Sequence, residues 1–265
     1  MSAEPPLLHF DIHPGVGPYL LLVHGFLSSR AQWQPNLEAL ASVCRPVTVE
    51  LWGHGRSPAP ADPSAYTPQG YIAGFERIRR LIGTDAWFVC GYSLGAGLTI
   101  RYAHDHPQTV IAHTFTNSMS AFADRALQAQ WSSTSPAIAE KILTLGEQAI
   151  RKLAVHPRHA RSLMPALKRA LVADADLLRP VAVANTLTIT TLQSSIRPVA
   201  AHNPRPALLI QGEKERRFAD YAAWARLNVP KLRVAQVDAG HGVNMEQPAD
   251  FNHALSDFIQ GQGAP

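Results

Sequence analysis

Ser93 lies at the centre of Gly91-Tyr92-Ser93-Leu94-Gly95, a G-x-S-x-G pentapeptide suited to holding a nucleophile on a sharp turn. The apolar run 86–90 before it reads as a buried strand, and Leu94, Leu98 and Tyr102 after it fall at helical spacing. A strand-to-helix turn this tight leaves almost no room for side chains on its flanks, which the glycines at 91 and 95 answer. The turn lifts the serine oxygen clear of the sheet and aims the first helical N–H groups at negative charge forming beside it. Serine is a poor nucleophile at neutral pH, so it needs a base, and the base needs an orienting acid. His241, in Asp238-Ala239-Gly240-His241-Gly242, is the candidate base. It follows the last expected strand and so belongs at the same sheet edge as Ser93. The loop 212–218 holds the candidate acid, Glu215, with Asp220 as its rival. Glu213 and Glu215 could instead favour the N-terminus of the helix that follows.

An oxyanion needs two N–H donors about 3 Å away. Leu94, directly after the nucleophile, and Phe26, after His24-Gly25, are placed to supply them from the backbone. Trp33, Trp52 and Tyr92 flank these loops and are candidates for an apolar substrate pocket, with core packing as the alternative. His24 and His54 read as loop-packing residues rather than bases.

These residues need a scaffold that brings distant loops to one edge. Short apolar runs at 19–23, 46–50, 86–90, 109–115, 207–211 and 232–237 alternate with helical patterns. That alternation predicts an α/β fold with a mostly parallel sheet and helices on both faces. It breaks over 118–200, a stretch rich in Ala, Leu, Gln and Arg, with prolines at 136, 157, 165 and 180 marking helix breaks. The stretch is too long for a plain connection and is expected to form a helical cap over the sheet's C-terminal edge. The division is then 1–117 and 201–265 for the core domain and 118–200 for the cap. Residues 118–200 carry a net charge of +5, more than the +4 of the whole chain. This reads as a solvated outer face, with attraction of an anionic substrate as the alternative.

The chain has 265 residues, 46% of them hydrophobic and 17% charged, enough for a full core in one domain with an insertion. No dense Lys/Arg block points to nucleic acid. Cys44 and Cys90 give neither a disulfide framework nor metal-ligand spacing. The segment Met1-Ser2-Ala3-Glu4-Pro5 lacks the basic and apolar parts of a signal segment, and no apolar run has the length of a membrane span. A cytoplasmic protein, monomer or homodimer, acting on a small molecule without nucleic-acid or membrane partners is expected.

The ordered set His24-Gly25-Phe26, Gly53-His54-Gly55-Arg56-Ser57, Gly91-Tyr92-Ser93-Leu94-Gly95 and Gly240-His241 resembles the α/β-hydrolase superfamily over nearly the whole chain. The resemblance implies a core sheet of about eight strands, a helical cap inserted after the sixth, no cofactor and no metal, and the chain order serine, acid, histidine. Locally, Gly212-Glu213-Lys214-Glu215 with Phe218, and Gly240-His241 with Glu246 and Pro248, are similar to the menaquinone-pathway succinyl-hydroxycyclohexadiene-carboxylate synthases. Those synthases typically carry Gly-Arg after the elbow, where this chain has Ala96-Gly97, and Asp where it has Glu215. Serine and histidine carry over; the substrate does not.

The expected activity is cofactor-independent hydrolysis of an ester, thioester or lactone of a small, partly apolar acid through an acyl-enzyme on Ser93, His241 and Glu215. The alternatives are a lyase or carbon–carbon bond hydrolase, with arginines of the cap holding a carboxylate, and a non-catalytic ligand-binding member of the fold.

Overall fold

A computed structural model describes residues 6–262, so the reading of Met1–Pro5 lies outside the described residues. The seven strands are β1 Phe10–Ile12, β2 Tyr19–Val23, β3 Arg45–Val49, β4 Trp87–Gly91, β5 Val110–Thr116, β6 Ala207–Gly212 and β7 Leu232–Val237. They form one sheet in the order β1-β3-β2-β4-β5-β6-β7, with β1 antiparallel to β3 and every other pair parallel. The architecture is the α/β-hydrolase fold. Seven strands stand close to the eight expected, and the helical insertion accordingly follows the fifth of them.

The apolar runs are continuous because the central strands are covered on both faces. Leu20, Leu22, Phe88 and Cys90 enter one core cluster, and Leu21, Val23, Trp87 and Val89 enter another. That is the period-two alternation of a strand, with both sides apolar.

Register delivers the site. Val23 pairs with Gly91, Gly91 with Phe115, Thr116 with Ile210, and Gly212 with Val237. The loops after β2, β4, β5, β6 and β7 therefore leave the sheet at one edge, and the strand order reverses between β2 and β4. That edge and that reversal are where open parallel sheets bind their ligands.

Between β5 and β6 lie the helices Arg125–Leu145, Glu147–Ile150, Pro165–Ala175 and Pro180–Asn185, with shorter turns between them. Pro157, Pro165 and Pro180 each open a helical segment, where a missing N–H costs nothing. Pro136 breaks nothing: the helix Arg125–Leu145 runs through it. The carbonyl it frees belongs to Ser132, which is exposed and can turn to water. No helix of the described residues is long and apolar enough to cross a membrane.

A buried carboxylate ties the helix Pro68–Leu81 to the sheet. Glu76 Oε1 accepts from Tyr102 Oη at 2.5 Å, Arg79 Nε at 2.9 Å and Thr109 Oγ1 at 3.0 Å, and Trp87 Nε1 donates to Tyr102 Oη at 3.0 Å. Burial pushes the Glu76 carboxyl up, but the hydrogen bonds from Arg79, Tyr102 and Thr109 outweigh it and hold it down to about 2. A folded-state value below the unfolded one gives stabilisation that is full above about 4.5 and is lost as pH falls through about 2. Glu76→Leu, which strands three donors, is expected to cost about 2–4 kcal/mol in urea unfolding at pH 7. Its stability should also fall less steeply between pH 4.5 and 2 than that of the wild type.

Candidate active site

Ser93 adopts φ 52° and ψ −114°, a conformation that side chains rarely take, and it caps the helix Leu94–Asp105. The turn is held by Tyr92 N–H donating to Val23 O at 2.9 Å, Gly95 N–H to Tyr92 O at 2.9 Å and Ala96 N–H to Ser93 O at 3.0 Å. A Cβ on Gly95 would stand 2.5 Å from Val23 O, so only glycine lets the helix start this close to β2.

The loop beside it is cross-braced by two histidines. His24 Nδ1 donates to Gly25 O at 2.7 Å while its Nε2 accepts from Leu51 N–H at 3.0 Å. His54 Nδ1 donates to Trp52 O at 3.0 Å while its Nε2 accepts from Leu27 N–H at 3.3 Å. Burial lowers both rings, His24 to about 3 and His54 to about 4, so they stay neutral and their nitrogens are fully used. Among the described residues, the Phe26 and Leu94 N–H groups donate to no acceptor.

His241 Nδ1 lies 2.9 Å from Glu215 Oε2. Asp220 is exposed in the first turn of the helix Ala219–Asn228 and makes no contact with His241 among the described residues. The same Glu215 oxygen accepts from Asn117 Nδ2 at 2.8 Å. Asn117 is fully buried, and its orientation is fixed: Nδ2 also donates to Gly212 O at 2.9 Å and Oδ1 accepts from Gly212 N–H at 3.2 Å. Burial pushes the Glu215 carboxyl up, but the hydrogen bonds from His241 and Asn117, with the charges of His241 and Arg217, hold it below the usual carboxylate range. On the other side of His241, Glu246 Oε2 accepts from Gly240 N–H at 2.7 Å and Oε1 from Gly242 N–H at 3.2 Å, which fixes the histidine loop. The Tyr92 ring stands edge-on to His241 with centroids 5.2 Å apart.

Ser93 and His241 border one cavity of about 320 Å³. Tyr92 and Phe26 line it from the core, and Val155, His156, Leu163 and Leu171 line it from the insertion. No lysine or arginine is among its described lining residues. Of the positive side chains of 118–200, Arg151 pairs with Glu147 and Asp176, and Arg197 lies over the Trp224 ring.

Two aromatic candidates belong to the core instead. Trp33 is fully buried 6.1 Å from the Phe251 ring, and Trp52 is buried against Tyr71 at 6.5 Å. Their side chains satisfy apolar packing between sheet and helices, and neither lines the cavity. Sequence reasoning also passed over Asn117, whose only signal was the polar Thr116-Asn117-Ser118 at a strand end. It passed over the insertion's lining residues as well, which follow no single periodicity.

The sequence profile of the alpha/beta hydrolase fold matches residues 18–248. A Bacillus subtilis protein provisionally named 2-succinyl-6-hydroxy-2,4-cyclohexadiene-1-carboxylate synthase is 23% identical, over 94% of this chain and 93% of its own. Carboxylesterase YbfK of Bacillus subtilis is 24% identical, over 94% of this chain and 82% of its own. Among solved structures, MenH from S. aureus superposes with a TM-score of 0.82 at 19% identity, covering 96% of this chain and 98% of that one.

The Glu215–His241 contact has a direct spectroscopic readout. The His241 Nδ1 proton is expected far downfield in the proton NMR spectrum, as in charge-assisted pairs of this kind. Glu215→Gln should move it upfield, Asn117→Leu should shift it, and Asp220→Asn should leave it in place.

Proposed function

This chain belongs to the α/β-hydrolase family, and from that premise we propose that it is a cofactor-independent serine hydrolase of neutral, largely apolar esters, thioesters or lactones. The observation that carries the reading is the strained turn of Ser93 on the same small cavity as a histidine whose far nitrogen is held by a carboxylate. Strain of this kind costs about 1–3 kcal/mol and persists where a reacting atom must be presented.

In the proposed mechanism Ser93 Oγ attacks the carbonyl carbon as His241 Nε2 takes its proton. Glu215 holds the imidazole tautomer and offsets the charge of its cation. The free N–H groups of Phe26 and Leu94 receive the oxyanion. His241 returns the proton to the leaving oxygen or sulfur, the acyl group stays on Ser93, and water activated by His241 releases it. Residues 118–200 act as the cap that closes the cavity.

Two features favour hydrolysis over the carboxylate-handling lyase alternative. Where the synthases typically carry arginine, Gly97 packs against the insertion: a Cβ there would stand 2.7 Å from Ser194 O. No side chain fits at that point without moving the insertion. The cavity also offers no lysine or arginine to a substrate carboxylate among its described lining residues. A cavity near the lower end of the roughly 300–1,000 Å³ range of ligand pockets suits a small acyl group. A non-catalytic binding protein would have no use for the backbone strain at Ser93.

A fluorophosphonate probe should label the wild type and leave Ser93→Ala unlabelled. Nitrophenyl esters of rising acyl length should be cleaved with a sharp fall once the chain outgrows the cavity. Glu215→Gln should lower kcat by roughly a thousandfold or more with the fold intact. No labelling and no turnover of any ester would remove the acyl-enzyme.

A further inference from the structure

Phe26 sits in a four-residue turn, closed by Ser28 N–H donating to Gly25 O at 3.2 Å. Leu27, the third residue of that turn, has φ 55°. A turn with positive φ at its third residue favours glycine, and a leucine there is strained. Leu27 borders the same cavity as Ser93, whose φ is also positive. The Leu27 N–H donates to His54 Nε2 at 3.3 Å. That bond needs no side chain, so it does not explain why a leucine stands where glycine would be unstrained.

The surroundings of the side chain do explain it. Leu27 is 1% exposed and belongs to an apolar cluster with Ile142, Ile150, Leu178 and Val183. Among the described residues it is the one buried member of that cluster from outside 118–200, and Phe26 packs against the same cluster. Glycine would relieve the backbone but forfeit the burial, whereas leucine keeps both the strain and the anchor. The turn is thus held from two sides, by His54 through the backbone and by the insertion through the leucine side chain. We propose that Leu27 is a positioning residue: seated in the apolar core of the insertion, it holds the Phe26 N–H where the oxyanion forms. The insertion then completes the oxyanion site as well as walling the cavity. This deepens the hydrolase reading and rests on it.

The test measures turnover of nitrophenyl butyrate by the wild type, Leu27→Met, Leu27→Ala, Leu27→Gly and Val183→Ala, each well below its unfolding temperature. Methionine keeps an apolar anchor of similar volume, and alanine and glycine withdraw it. Val183 belongs to the cluster but not to the described lining of the cavity, so Val183→Ala loosens the anchor and leaves Leu27 itself in place. Leu27→Ala and Leu27→Gly are expected to lose about tenfold to a hundredfold in kcat, with KM changed by less than about threefold. Leu27→Met should retain most of kcat. Val183→Ala should lose about threefold to tenfold in kcat, and the double variant with Leu27→Ala less than the product of the two losses. In the free protein, followed by proton–nitrogen correlation NMR, Val183→Ala should move the Phe26 amide more than the Leu94 amide. Should Leu27→Ala fold poorly, Leu27→Met and Val183→Ala still decide the matter. An unchanged kcat in Leu27→Gly, a fully multiplicative double variant or an unmoved Phe26 amide overturns the proposal. If the wild type cleaves no ester while the Phe26 amide answers to Val183→Ala, the anchoring stands and the hydrolase reading falls, so the two failures are separable.

Discussion

The backbone of Ser93 is the constraint on which the site depends. Its positive φ is unfavourable on its own and survives because three neighbours leave it no alternative. The strand β4 is locked in register with β2 and β5 up to Gly91, so the chain reaches the turn with its direction fixed. The helix Leu94–Asp105 begins one residue after Ser93 and packs its own face into the core through Leu94 and Leu98. Between these two fixed elements a single residue must absorb the reversal. Gly95 lets the helix approach β2 until ordinary backbone hydrogen bonds close the turn. Stability supplied by the sheet and the helix thus holds a serine oxygen at the edge of the molecule, with free N–H groups to either side.

The same edge gathers the polar groups that serve this oxygen in the proposed mechanism, and Asn117, Glu246, His24 and His54 are bound to backbone there. Asn117 leaves β5 and reads both the N–H and the carbonyl of Gly212 at the end of β6. It therefore stitches two parallel strands beyond their last ladder bond and presents a donor to Glu215 from a site that cannot rotate. Glu246 grips the two amides that flank His241. His24 and His54 spend all four ring nitrogens on the loops after β2 and β3. Fixed dipoles of this kind need no rearrangement when charge develops, which is where much of an enzyme's electrostatic stabilisation lies.

The strands were legible because strands covered on both faces leave short apolar runs in the sequence, and β2 and β7 fall where the pattern puts them. β1 was not: its three residues, Phe10, Asp11 and Ile12, are too short a run to show an alternation, and only pairing with β3 makes them a strand. The glycine-flanked Ser93 and His241 could be picked out because the backbone geometry they need leaves a mark in composition. Trp33 and Trp52 misled for the converse reason. A large aromatic next to a functional loop is equally demanded by the core beneath that loop, and nothing local separates the two. The insertion's contribution was the least legible. Its helices meet the cavity through turns rather than along one face, so no periodicity singles out Val155, His156 or Leu163.

The insertion also reaches the sheet edge beside the cavity through a charge, and not only as a wall. Asp174, in the helix Pro165–Ala175, accepts from Ser29 Oγ at 2.7 Å and pairs with Arg56 at 3.4 Å. Ser29 is the residue that caps the turn after the Phe26 loop, through the Ala31 N–H at 3.1 Å. Arg56 in turn meets the fully buried Glu50, which also accepts the Arg56 backbone N–H at 2.6 Å. Burial raises the Glu50 pKa, and its hydrogen bond and ion pair with Arg56 only partly offset that rise. One acidic side chain of the insertion thus touches the loops that follow β2 and β3 at once. Any shift of the helix Pro165–Ala175 that moved the cavity wall would pull on the loop carrying the Phe26 N–H. In the proposed mechanism, the helix that walls the cavity through Leu171 and the loop that carries the Phe26 N–H are tied together by the Asp174–Ser29 hydrogen bond.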